Sequence, residues 1–178
     1  MNMKKNEIKN MVLAAMFLGI GFVLPMLTSQ IKEIGDTLLP MHIPVMFCGL
    51  ICGWKYGFAV GLILPFLRGF VFGMPPMYPN AVWMATELAM YGFVIGFIYF
   101  RINQKNIKGV YISLISAMIL GRLAWGISKA VLLNLNDKVF TVPMFLLGGF
   151  VDAVPGIILQ LVLIPLVMTI LNKRRILK

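Results

Sequence analysis

Long apolar runs separated by short polar connections fill the chain from residue 10 to residue 171. A helix rises about 1.5 Å per residue, so roughly 20 apolar residues cross the hydrocarbon core of a bilayer. On that measure the pattern predicts six spans, at about 10–27, 40–54, 56–72, 80–100, 109–135 and 142–171. The second is short, starts with Pro40, His42 and Pro44, and turns at Gly53–Gly57 into the third. The longer connections read TSQIKEIGDTLL (28–39), GMPPMYPN (73–80), RINQKNIK (101–108) and LNDKVFT (135–141). Lys4, Lys5 and Lys9 before the first run give it the look of a signal peptide. No small-residue cleavage site follows, and Pro25 ends the run, so it reads as a retained span. No internal repeat is evident, which argues against an inverted-repeat carrier.

Composition sharpens the class. Of 178 residues, 60% are hydrophobic and 12% charged, with a mean hydropathy of +0.92. That leaves too little polar surface for a soluble domain. The expectation is an all-α, polytopic membrane protein, a six-transmembrane-helix bundle forming one domain over residues 1–178. There is no room beside the helices for a soluble nucleotide-binding or catalytic module.

The net charge of +10 comes from cations at the helix ends, where anionic headgroups account for them, so nucleic acid is not implied. With the N-terminus inside, the inside segments hold Lys4, Lys5, Lys9, Lys55, Arg101, Lys105, Lys108, Lys173, Arg174, Arg175 and Lys178. The outside segments hold only Lys32 and Lys138. This bias predicts that both termini are cytoplasmic.

The same topology sets the depth of the ionisable residues inside the spans. His42 starts the second span on the outer side, and Arg68 lies near the outer end of the third. Glu87 is roughly 10 Å into the fourth at the helical rise. Arg122 falls near the middle of the fifth span, Lys129 nearer the outside, and Asp152 near the middle of the sixth. All six occupy the outer half or the midplane. A charge at the bilayer centre costs about 2.5 kcal/mol or more, so such residues face partners or wet cavities. The asymmetry predicts a polar pocket open to the outside and closed below by apolar packing.

Two helix faces carry the candidate chemistry. Arg122, Trp125 and Lys129 share one face of span five; Asn80, Trp83, Glu87 and Tyr91 share one face of span four. Aromatic, amide and charged groups at an outer mouth suit a small polar ligand with an apolar body. Each residue also has a plainer reading. Glu87 can pair with Arg122, Lys129 or Arg68 only to hold helices together. Trp83 can belong to an interfacial belt. Asp152, among small residues in GGFVDAVPG, can neutralise a span-five cation or bond the ligand. Arg68 can snorkel to headgroups, and His42 can simply begin its helix.

Cys48 and Cys52, one turn apart, read as small membrane-facing residues rather than a disulfide or zinc site. No metal cluster, phosphate loop or catalytic triad can be assembled, so neither an enzyme nor a resident cofactor is expected. In span one, Ala14, Ala15 and Gly19 are small, with Ala15 and Gly19 four apart, which lets another helix approach closely.

LPMHIPVMFCGLICGWKYGFAVGLILPFLRGFVFGMPP followed by YPNAVWMATELAMYGFVIGFIY resembles the substrate-binding S components of energy-coupling-factor (ECF) transporters. The resemblance implies capture of a small water-soluble vitamin or precursor outside the cell, in the membrane of a bacterium. It implies association with a membrane T component and two cytoplasmic ATPase subunits. It also implies docking through span one, where the family's Ala-xxx-Ala reads Ala15-xxx-Gly19, and a lid formed by Thr28–Leu39. The His-Ile-Pro and Phe-Gly-Met-Pro-Pro patterns look most like the pantothenate-linked branch, and a carboxylate would suit Arg122 and Lys129. The competing expectation is a stand-alone secondary transporter or facilitator.

Overall fold

The computed structural model describes residues 2–28, 39–102 and 106–173, with side chains from residue 6 to 26 in the first stretch. Residues 29–38 of the expected lid, with Lys32, lie outside the described residues. So do Lys105, the tail cations Arg174, Arg175 and Lys178, and the Lys4 and Lys5 side chains.

The described residues fold entirely into helices and short connections: α1 (Asn2–Thr28), α2 (His42–Cys52), α3 (Trp54–Phe72), α4 (Val82–Arg101), α5 (Ile107–Asn134), α6 (Val142–Leu146) and α7 (Val154–Lys173). A kinked segment, Met77–Ala81, in which Tyr78 is extended, leads into α4, and a wider helical turn, Leu147–Val151, leads out of α6. Five helical stretches are long and apolar enough to cross a membrane. Backbone groups in hydrocarbon have no water to bond, and helices satisfy them internally. The chain is a multi-pass membrane protein.

Consecutive helices from α1 to α5 run antiparallel, so the long α1 and α3, on either side of the short α2, run parallel, as a few cross-links record. At one end, Tyr56 Oη donates to the Glu7 carbonyl at 3.3 Å and Asn10 Nδ2 to that of Cys52 at 3.4 Å. At the other, Arg68 Nη1 donates to the Phe22 carbonyl at 2.9 Å and Asn136 Nδ2 to Tyr78 Oη at 3.1 Å. The 73–80 and 135–141 connections therefore share one end with the C-terminus of α1. The α2–α3 turn shares the opposite end with the N-terminus of α1. That turn is made at Gly53, whose φ of 98° suits a residue without Cβ.

Close packing of α3 on α4 sets the middle of the bundle. A Cβ built on Gly92 would collide with the Gly57 backbone, and one on Gly61 with the Leu88 carbonyl. Small residues let helix backbones approach in lipid, where no hydrophobic drive joins apolar faces. The approach holds Leu88, and with it Glu87, deep between helices.

Helix α2 is central and short. Its residues from His42 to Leu50 are all buried. Eleven residues span about 16 Å, roughly half of a hydrocarbon core. Its C-terminus is tied to α1 at the Asn10 end, so α2 itself reaches only about half-way along the bundle.

Three expectations change. The sixth span is broken: α6 and the Leu147–Val151 turn end at Asp152, and α7 restarts at Val154. Gly148 and Gly149 weaken the helix, and Pro155 lacks an N–H and crowds the carbonyl of Val151. Cys48 and Cys52 are free thiols buried in the core with Val45, Val60 and Leu64, not membrane-facing. Ala14 is buried in that cluster, whereas Ala15 and Gly19 face outward.

Candidate functional site

Where α2 falls short, a cleft of about 340 Å³ opens beside the 73–80 connection. His42, Met41 and Pro40 border it at the start of α2. Leu39, Pro25 of α1, Arg68 of α3, Met74–Pro76, and Asn80 and Met84 of the α4 region complete its lining. Polar groups are few and spaced along an otherwise apolar wall, as in sites for small ligands.

Beneath His42 lies a buried charged cluster. Arg122 Nη1 donates to Glu87 Oε1 at 2.8 Å, with both residues almost fully buried. His42 Nε2 stands 3.3 Å from the same oxygen, off the hydrogen-bond direction. Tyr91, one turn below Glu87, meets the His42 ring edge-on at 5.0 Å. It fits there because Gly121 faces its ring; a Cβ at that glycine would lie 2.6 Å from Tyr91 ring carbons. Arg122 Nε and Nη2 and both His42 ring nitrogens have no hydrogen-bond partner among the described residues. Buried polar atoms are normally satisfied, so this much unused hydrogen-bonding capacity is unusual inside a helix bundle.

Toward the cleft end of α4 and α5, Lys129 sits among aromatic rings. Its Nζ is 4.5 Å from the Trp125 ring centroid, 5.3 Å from Trp83 and 5.6 Å from Phe140. The ring faces supply the negative potential that a desolvated ammonium needs. Between cage and ion pair, Thr86 Oγ1 donates to Ser128 Oγ at 2.8 Å, and Ser128 Oγ donates to the Trp125 carbonyl at 3.0 Å. The α4 and α5 stripes thus face each other over three turns.

Arg68 behaves differently from Arg122. It is 8% exposed, with Nη1 on the Phe22 carbonyl and its guanidinium 5.6 Å from the Phe72 ring centroid. It does not snorkel away from the protein. It lines the cleft and forms no ion pair among the described residues.

The structure therefore brings His42, Arg68 and Asn80 to the cleft, Glu87, Arg122 and Tyr91 to the buried cluster, and Trp83, Trp125 and Lys129 to the cage. Asp152 acts on the span-five cation Lys129 only through its charge. It is exposed after the Leu147–Val151 turn and makes no ion pair among the described residues. Four contributors escape the sequence pattern, Met84, Thr86, Ser128 and Phe140, and a fifth buried polar residue, Gln160, lies outside the site. Gln160 is 1% exposed in α7, and its Nε2 lacks a partner among the described residues. An amide alone in an apolar run is the signal that could have found it.

On the outer surface of α1, Ala15 and Gly19 belong to an exposed stripe with Met11, Val12, Met16 and Val23. A Cβ on Gly19 would meet nothing within 4 Å. Met16, Gly19, Ile20, Val23 and Leu24 line a shallow apolar groove there.

A family model described as the ECF transporter substrate-specific component matches residues 9–171 of the chain. No curated protein and no solved structure matches it significantly.

Proposed function

The chain belongs to the substrate-specific components of ECF transporters, and from that premise we propose that it captures a small water-soluble vitamin or precursor, with pantothenate the leading candidate. As a family member it is a substrate-specific transporter subunit that works with T-component and ATPase partners. The reading adds that the ligand occupies the cleft above His42, with the cleft facing outward and both termini cytoplasmic.

The single observation behind the ligand site is the cleft where His42, Arg68 and Asn80 converge over the Glu87–Arg122 pair. Its volume suits a molecule of vitamin size, and the cluster beneath supplies unused donors. Pantothenate offers a carboxylate, an amide and hydroxyls to such a lining. In this reading the Trp83–Trp125–Lys129 cage stiffens the α4–α5 wall beside the ligand. The exposed Ala15–Gly19 stripe serves as the docking face for the T component, since small residues let a partner helix come close.

The test is twofold. Protein purified from its native membrane is denatured, and any released compound is identified by mass spectrometry; the expected result is a water-soluble vitamin or precursor. The chain is also reconstituted alone and with T-component and ATPase partners. Uptake is expected only in the complete assembly. Uptake by the chain alone, at a rate the ATPases do not change, identifies a facilitator instead.

A further inference from the structure

Among the described residues, three cations within the helices lie in the half of the bundle that holds the cleft, and their surroundings differ. Arg122 has its charge met by Glu87 at 2.8 Å. Lys129 is wrapped by Trp83, Trp125 and Phe140. Arg68 lines the cleft, is nine-tenths buried, and forms no ion pair among the described residues. Glu33 and Asp36 of the 28–39 connection lie outside the described residues.

The orientation of Arg68 is held from one side. Nη1 is committed to the Phe22 carbonyl at 2.9 Å, and the Phe72 ring lies against the guanidinium. The opposite edge carries Nε and Nη2. Nε is buried without a hydrogen-bond partner, and no hydrogen bond among the described residues uses Nη2. Those two N–H groups form the side-on fork that grips a carboxylate or phosphate with two parallel hydrogen bonds. A pre-oriented fork loses little side-chain freedom on binding, and a buried cation without an ion pair among the described residues gains from an anion.

We propose that Arg68, rather than Arg122 or Lys129, is the residue through which the cleft selects an anionic ligand, its Nε–Nη2 edge taking a carboxylate or phosphate group. This deepens the reading of the cleft as the ligand site and rests on it. The anionic end of the ligand then lies against α3 and α1, and its polar body points toward Asn80 and His42.

The experiment measures equilibrium binding of two matched pairs, pantothenate with panthenol and biotin with its amide, to the purified full chain. Within each pair the carboxylate is replaced by an uncharged group. The unsubstituted protein should bind the acid of at least one pair about 30-fold more tightly than its neutral partner, the range for a buried charge-assisted contact. Arg68→Gln should erase that preference by weakening the acid far more than its neutral partner. Arg68→Lys keeps the charge but not the fork and should lose about tenfold for the acid alone. If Arg68→Gln does not yield folded protein, Arg68→Lys carries the test with the same two pairs of ligands.

A preference that survives in these variants overturns the proposal. So does an equal loss for acid and neutral ligands, which marks a structural role. If neither pair binds, the compound released from purified protein decides. An anionic compound retained by the unsubstituted protein and absent from Arg68→Gln upholds Arg68 while pantothenate falls. An uncharged vitamin overturns Arg68 while vitamin capture stands. No bound compound at all overturns both.

Discussion

Glu87 and Arg122 form a buried ion pair across the α4–α5 interface, with Arg122 Nη1 2.8 Å from Glu87 Oε1. Either residue alone would be an uncompensated charge. Removing one partner of a buried pair typically costs about 3 kcal/mol or more, whereas removing both can be nearly neutral. Glu87→Gln is therefore expected to lower unfolding stability in detergent by about 3 kcal/mol. The Glu87→Leu/Arg122→Met double variant should lose less than either single one. A double-mutant cycle on unfolding midpoints checks this, and additive losses would show that the pair does not hold α4 to α5.

The glycines of α3 and α4 make a second prediction. At Gly92 the Gly57 backbone stands where a Cβ would be placed, so no rotamer change can make room. Forcing extra atoms into a close-packed interface costs about 1–3 kcal/mol. Gly92→Ala should fall in that range, and Gly92→Leu should exceed it. Both should weaken ligand binding, because separating α3 from α4 displaces Arg68 and Glu87 together. Thermal unfolding and ligand titration on the same preparations test the link.

The pairing of acids with bases is only partly legible in the sequence. A polar residue in an apolar run stands out, and helical spacing places Glu87 and Tyr91 on one face and Arg122, Trp125 and Lys129 on another. That is enough to expect a polar site between the fourth and fifth spans. Which acid meets which cation depends on helix rotation and depth, so Glu87 pairs directly with Arg122, while Asp152, expected to neutralise a span-five cation, lies exposed and reaches Lys129 only through its field. The short second span is visible in the sequence, but the cleft it leaves is not, because that depends on where α2 starts in the bundle. Lipid and protein core are equally apolar, so membrane helices lack the amphipathic signal that marks a buried face in water. Ala14 and Ala15 look alike in sequence; one packs against α2 and α3, and the other faces outward. Cys48 and Cys52 turn inward rather than to lipid for want of the same signal.

The outward stripe of α1 yields a third prediction. Gly19 faces open space, so a larger side chain there meets no atom of this chain. Gly19→Leu and Ala15→Leu should leave folding and ligand affinity unchanged. They should reduce co-purification with the T component and ATPase subunits, and reduce uptake in cells, by about tenfold if a close helix contact is lost. Pull-down from membranes and vitamin uptake measure the two effects. Full assembly with both leucines present would remove α1 from the docking surface.

The aromatic cage yields the last prediction by separating charge from packing. Trp125 is 7% exposed, with its ring centroid 6.1 Å from those of Phe140 and Phe145. Gly148 packs so close that a Cβ added there would lie 3.2 Å from the indole. Truncating a buried Trp typically costs about 3–5 kcal/mol, while a cation–π contact contributes about 0.5–2 kcal/mol. Lys129→Met keeps the length of the stem and ends the cost of holding an ammonium in an apolar setting. It should change stability by less than about 1 kcal/mol, because the lost ring contacts and the relieved desolvation oppose each other. Trp125→Ala should cost at least about 3 kcal/mol and loosen α6 from α5. Unfolding of the two variants side by side decides which effect dominates. A larger loss for Lys129→Met than for Trp125→Ala would mean that the ammonium, not the indole, organises this end of the bundle.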